Sequence, residues 1–313
     1  MAQATLASRL LKPWRAIRSN PVMIKELRGR MRGRRAFVAL TIYAGLLSAF
    51  ASAIYLLYAS AADDIGGPPG QLIGKIVFGG VVITELLLVC FVTPALTASA
   101  ISGERERQTF DLLCTTLLPA QSLVVGKLIS ALSYIVLLII AGVPLQSLAF
   151  FLGGVTPEEV ILSVVLLLVT ALTFAVVGLF FSALSRTTLG STVLSYAFAL
   201  AATAGVPMLA SIVLPVMSIG LVGILGNQPQ PWEAQAALIY LGGFLLCTNP
   251  FLAAILTEVA LLEKQTAFFF KVNVTAGHDI WLVSPWIVYT ALCLLLSLIL
   301  VVWSMWLLKR KQV

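Results

Sequence analysis

Residues 101–127 read ISGERERQTFDLLCTTLLPAQSLVVGK. Glu104, Arg105, Glu106, Arg107 and Asp111 crowd into the first half of this stretch. The runs on either side, Ile76–Ala100 and Leu128–Leu152, are apolar and of span length, since a bilayer crossing takes about 20 such residues. The island is too short for a domain and too charged for lipid. It reads as a short helix exposed between two membrane crossings.

Composition extends that reading to the whole chain. Of 313 residues, 60% are hydrophobic and 11% charged, with a mean hydropathy of +1.02. Soluble domains average about 25% charged residues. A transmembrane barrel would show short alternating segments, whereas these apolar runs are continuous. The expected fold is an all-α integral membrane bundle of six helices, at about 36–60, 76–100, 128–152, 160–184, 189–225 and 285–308 within a transmembrane domain 36–309. Gly66-Gly67-Pro68-Pro69-Gly70 breaks the chain after the first crossing, and Thr156 is placed to cap the fourth ahead of Pro157. The fifth would measure about 55 Å as one helix, longer than the ~30 Å core, and Pro207 and Pro215 predict a kink or break. Residues 236–262 are apolar but interrupted by Gly242-Gly243 and Asn249-Pro250. They read as a re-entrant outer hairpin or a further crossing. The even number of crossings argued below favours the hairpin.

The net charge of +7 is unevenly spread. Ten basic residues lie between Arg9 and Arg35 with a single aromatic, Trp14, among them, so nucleic-acid binding is not expected. Residues 1–35 read as an interfacial segment. Asn20-Pro21 starts a helix whose Met23, Leu27 and Met31 share one face, with Lys25, Arg28 and Arg32 around the rest. Such a basic amphipathic helix lies against membrane lipids. The apolar run from Ala36 reads as a retained anchor. With both termini cytoplasmic, including the tail 310–313, 17 of the 20 basic residues face the cytoplasm; Lys75, Lys264 and Lys271 do not. That asymmetry is the positive-inside pattern of a cell-membrane protein, inner or plasma.

The island then projects into the cytoplasm. Glu104, Arg107 and Asp111 can share a helical face, with Phe110 and Leu113 beside one another on another. Charged and aromatic groups at one exposed site suit reversible docking to a protein. In Glu104, Glu106, Thr109, Phe110, Asp111, Leu112, Leu113, Thr116, Gly126 and Lys127 the sequence resembles the ABC-2 family of transporter permeases, whose pattern is an acidic run, Thr, hydrophobe, acid, Leu-Leu, Thr and a later Gly-Lys. Asn20-Pro21 with Glu26-Leu27-Arg28 is similar to that family's interfacial elbow helix. Gln108 stands where many members have Gly, and Leu117 where many have Pro.

The resemblance implies a six-span permease of an exporter, whose coupling helix at about 101–118 meets a separate ABC ATPase subunit. The coupling residues would be Glu104, Arg105, Glu106, Arg107, Thr109, Phe110, Asp111 and Leu113. It also implies a second permease copy or paralogue completing the pathway. ATP and Mg would belong to the ATPase, with no cofactor in this chain. A phosphate loop needs GxxxxGK[ST]. Gly126-Lys127-Leu128 lacks the first Gly and the hydroxyl, and Gly70–Ile76 has the wrong spacing, so the chain is not expected to be an enzyme.

Glu85, mid-span, is the intramembrane charge, at a cost of about 2.5–3.5 kcal/mol on insertion scales. It reads either as a group that faces the pathway or serves a proton- or cation-linked step, or as a protonated or paired acid at a helix interface. Ser191, Ser195, Ala199 and Thr203 form a small-residue stripe suited to close helix approach, within the chain or across a dimer. Cys90, Cys114, Cys247 and Cys293 are scattered and His278 is the single histidine, a pattern without metal-site spacing. Two other classes compete: a non-transporting relay driven by the same kind of ATPase, and an intramembrane lipid-modifying enzyme, which would need converging catalytic groups. Cargo is not legible.

Overall fold

In a computed structural model the chain is described at residue 29 and over residues 34–64, 70–109, 120–225, 232–264, 266–275 and 278–311. The elements in order are α1 (Arg34–Asp64), α2 (Gly70–Thr97), the short α3 (Ser102–Glu106), α4 (Ala120–Leu152), α5 (Pro157–Leu184), α6 (Thr188–Leu200), α7 (Val206–Leu225), α8 (Trp232–Leu246), α9 (Pro250–Lys264), β1 (Phe269–Thr275), β2 (His278–Val283) and α10 (Pro285–Lys311). Among the described residues, six helical units are long and apolar enough to cross a membrane: α1, α2, α4, α5, α6 with α7, and α10. The interfacial residues Met23, Lys25, Leu27, Arg28, Met31 and Arg32 lie outside the described residues.

The start of α5 follows from its sequence. Thr156 accepts from the Glu159 backbone N–H at 3.3 Å, and the Glu159 carboxylate accepts from the Thr156 N–H at 3.1 Å. This capping box, with Pro157 entering the helix behind it, satisfies two donors that a helix start leaves open. Glu159 also takes Lys75 Nζ at 3.3 Å, which ties the starts of α5 and α2 together.

The core is built by α2, α4 and α5. Val77, Phe78, Val81, Leu86 and Val89 of α2 meet Leu128, Ile135 and Ile139 of α4 and Leu167, Ala171 and Ala175 of α5. Lipid is as apolar as these side chains, so close packing rather than water exclusion holds the helices. Glycines permit the closest approaches. A Cβ on Gly178 of α5 would collide with the Thr97 hydroxyl of α2, and one on Gly74 would strike the Gly153 carbonyl. The turn between α4 and α5 needs positive φ at Gly153 (93°) and Gly154 (85°), which favours glycine. Burial is uneven. In the most apolar stretch of α4, 61% of residues are buried, and of α5 56%, against 11% in α1 and in α6–α7.

The fifth crossing is not one regular helix. Between α6 and α7 the residues Ala201–Gly205 form a π turn, and the Val206 N–H bonds the Ala201 carbonyl. That shift deprives the Ala202 carbonyl of its usual partner, and Pro207 has no N–H to return to Thr203. The Asn249 side chain supplies both missing donors, at 2.8 Å to each carbonyl. Pro207 therefore does mark the irregularity, while Pro215 lies within α7.

Residues 236–262 fall in α8 and α9, two helices of 15 residues each, about 22 Å long, turned back at Thr248-Asn249. Neither is among the six spanning units. Asn249 is fully buried and caps α9, its Oδ1 accepting from the Phe251 and Leu252 N–H groups at 2.9 and 3.0 Å. The strands are an addition to the expected all-α bundle. β1 and β2 pair antiparallel, with Phe269 opposite Val283 and Asn273 opposite Asp279. Tyr240 of α8 donates to the Trp281 carbonyl at 2.8 Å, and His278 stacks on Trp232 at 4.7 Å. The hairpin thus lies against α8, and His278 is a stacking residue.

Candidate functional site

At one end of the bundle, α2 stops at Thr97 and a turn leads into α3. Leu308 of α10 packs there with Ile101, Val124 and Leu179, so the Lys309–Lys311 end of α10 lies beside α3. Helix α3 is sewn into the bundle from below. The Ile101 and Ser102 N–H groups both donate to Ser182 Oγ of α5, at 2.8 and 2.9 Å. The Ser102 hydroxyl lies 3.0 Å from that of Ser191 in α6, and Ser191 Oγ donates to the Ala98 carbonyl at 2.6 Å. All three serines are fully buried. The small-residue stripe is thereby placed: Ser191, Ser195 and Ala199 are buried within the chain.

The charged side chains of α3 reach outward from this base to two neighbours. Lys127 of α4, only 3% exposed, donates to the Ala100 carbonyl at 2.5 Å and pairs with Glu104 Oε1 at 3.4 Å. Thr109 donates to the same glutamate. Arg105 donates to the Ser185 carbonyl, just past the end of α5, at 2.9 Å. The Glu106 carboxylate accepts from both the backbone N–H and the hydroxyl of Thr188, each at 2.8 Å. Thr188 is the first residue of α6, so Glu106 supplies an anionic acceptor at a helix N-terminus. Glu106 lies beyond the break that ends α2, on the exposed surface, and these two donors hold its carboxyl below the ordinary glutamate value.

Five of the expected coupling residues are therefore described. Glu104, Arg105, Glu106 and Thr109 bond within the chain, and Arg107 is exposed. Phe110, Asp111 and Leu113 lie outside the described residues. A continuous helix over 101–118 is not what forms: α3 ends at Glu106, and Gln108 adopts φ 58°, the left-handed region that favours glycine. Sequence reasoning missed Ser182, Ser185 and Thr188, which read only as the end of one span and the start of the next. They lie about 80 positions from their partners, and no local pattern announces such a contact.

A model of the ABC-2 family of transporter proteins matches residues 21–313. The chain belongs to this family. No curated protein matches it. Members of the ABC-2 family are membrane subunits of transporters, and this ABC-2 chain is a multi-pass membrane protein with six crossing helices. Its α3 lies between the second and third crossings.

The second candidate of this ABC-2 chain is Glu85. It is fully buried between helices of the same chain, and its Oε2 accepts from Gln146 Nε2 of α4 at 2.7 Å. Gln146, also fully buried, has its Oε1 3.4 Å from Ser163 Oγ of α5. The arrangement is that of a paired acid at a helix interface. No group of three or more His, Cys, Asp or Glu side chains suited to a metal occurs among the described residues.

Proposed function

We propose that the chain is the permease subunit of an ATP-driven ABC-2 exporter, joined through residues 101–118 to a separate ATPase that holds ATP and Mg, and paired with a second permease copy or paralogue. The observation that carries this reading is the double attachment of α3: Lys127 ties it to α4, and Arg105 and Glu106 tie it to the α5–α6 turn. A partner that displaces α3 would move three spans together. Such a linkage is what an external motor needs, because a ligand biases two membrane states only through contacts that differ between them.

Two further features support the proposal. Arg186, Lys309, Arg310 and the α3 charges gather at one end of the bundle, which suits a cytoplasmic face with both termini on that side. The low burial of α1 and of α6–α7 leaves two long faces for a second permease and for lipid. Mg-ATP chemistry stays with the partner, where a phosphate loop would cradle the nucleotide.

The test is co-purification of a nucleotide-binding ATPase subunit with this chain. Arg107→Glu and Asp111→Arg are expected to release the ATPase while the permease stays folded. An ATPase retained by both variants would overturn the coupling assignment. ATP-dependent flux in vesicles made from the intact pair is expected, and its absence with a firmly bound ATPase would mark a relay instead of a transporter.

A further inference from the structure

Glu85 has more structure around it than helix packing requires. Its Oε1 finds no hydrogen-bond partner among the described residues, although the side chain is fully buried. Gly142 of α4 holds the space open, since a Cβ there would overlap that oxygen. Tyr43 of α1 lies within electrostatic reach, 5% exposed, with a hydroxyl that likewise has no partner among the described residues. The direct partner of Glu85, Gln146, is neutral, and neither described ion pair includes the acid. A bare carboxylate in such a place is strongly disfavoured, and one neutral amide does not offset its lost hydration. A proton on the acid removes the charge.

Polar groups lead from Glu85 toward a cavity. Ser163, whose hydroxyl lies beside Gln146, lines a cavity of about 150 Å³ between α2, α5 and α9. Glu159, Thr257 and Glu258 line the same cavity, and Lys75 pairs with Glu159 at its edge. These charged groups lie at the end of the bundle opposite α3. Among the other helices packed on α2, α6 offers Tyr196, whose hydroxyl is engaged by the Phe91 carbonyl at 3.1 Å. A metal cation is a poorer occupant than a proton. Hard cations take six or more oxygens, and here a single carboxylate is available.

We infer that Glu85 is a proton-binding site that exchanges with the Glu159–Glu258 cavity across Gln146 and Ser163. On loading, an O–H bond of a hydronium ion in the cavity breaks, leaving water, and an O–H bond forms at the Glu85 carboxylate; on release that bond breaks and the proton passes to a cavity water, regenerating hydronium. Gln146 covers the acid, so exchange requires its carboxamide to move aside. This inference goes beyond the transporter reading and needs neither ATPase nor cargo.

Infrared spectra of the purified full chain in lipid vesicles test it. At neutral pH the wild type is expected to show a protonated-carboxyl band that Glu85→Gln abolishes and Glu85→Asp shifts. In D2O the band is expected to move, several-fold faster in Gln146→Ala. The absence of a Glu85-dependent band would show a permanently charged group and overturn the proposal. A band that never moves in D2O, in wild type and Gln146→Ala alike, would show a sealed structural acid and overturn it equally.

Discussion

The side-chain amide of Asn249 donates to the backbone carbonyl of Thr203 at 2.8 Å, in a helix 46 positions away. One residue thus mends the break in the fifth crossing and caps α9. In a membrane an unmended carbonyl has no water to turn to. Asn249→Ala is expected to cost about 1–3 kcal/mol, read from unfolding in detergent. Asn249→Asp keeps the cap acceptor and loses the donor, so it should fall between wild type and Asn249→Ala. Equal stability of all three would show that the contact carries no weight.

The Glu106–Thr188 contact has a predictable pH dependence. Its donors lower the folded-state carboxyl value, so its contribution is present above the ordinary glutamate value of 4.5 and is lost as pH falls through the lowered one. At neutral pH, Glu106→Gln and Thr188→Val should each loosen α3, read as faster amide exchange over residues 101–109. The double variant should be no worse than either alone. Additive losses in that double-mutant cycle would show that the two residues act separately.

Gly142 and Glu85 make a steric pair. Gly142→Ala should lower thermal stability, because its methyl group collides with the buried carboxyl. In a Glu85→Ala background the same change should cost much less. Equal penalties in both backgrounds would place the strain elsewhere.

Lys127 is buried with Ala100 and Glu104 as its acceptors. Lys127→Met removes the donor and leaves a half-buried carboxylate without it. It should destabilise the protein by about 1–3 kcal/mol and loosen α3, read as faster amide exchange over residues 101–109. Adding Glu104→Gln should recover part of the loss. No recovery would mean that the Ala100 carbonyl is the acceptor that matters.

The six crossings were legible because each is a continuous apolar run bounded by Gly, Pro or charge. Thr156 was legible as a cap because the capping box is local. Asn249-Pro250 carries the same start signature as Asn20-Pro21, but inside an apolar run it read as an interruption. The hairpin lies between the 236–262 segment and the sixth crossing, where no element was expected, although Phe270, Val272 and Val274 alternate with other residues as strands do. The charge of α3 was legible and its partners were not, because Ser182, Ser185 and Thr188 meet it only after α5 has folded back along α2. The left-handed Gln108 had a faint signal in the glycine that the family pattern carries there.

Helix α5 packs against α2, α4, α6, α9 and α10. A helix so enclosed offers little surface on which cargo chemistry can select. Its sequence should drift only as fast as its neighbours can compensate, while the exposed faces of α1 and α6–α7 stay free to diverge. Relatives that carry different cargo should therefore differ most along those two faces and least along α5.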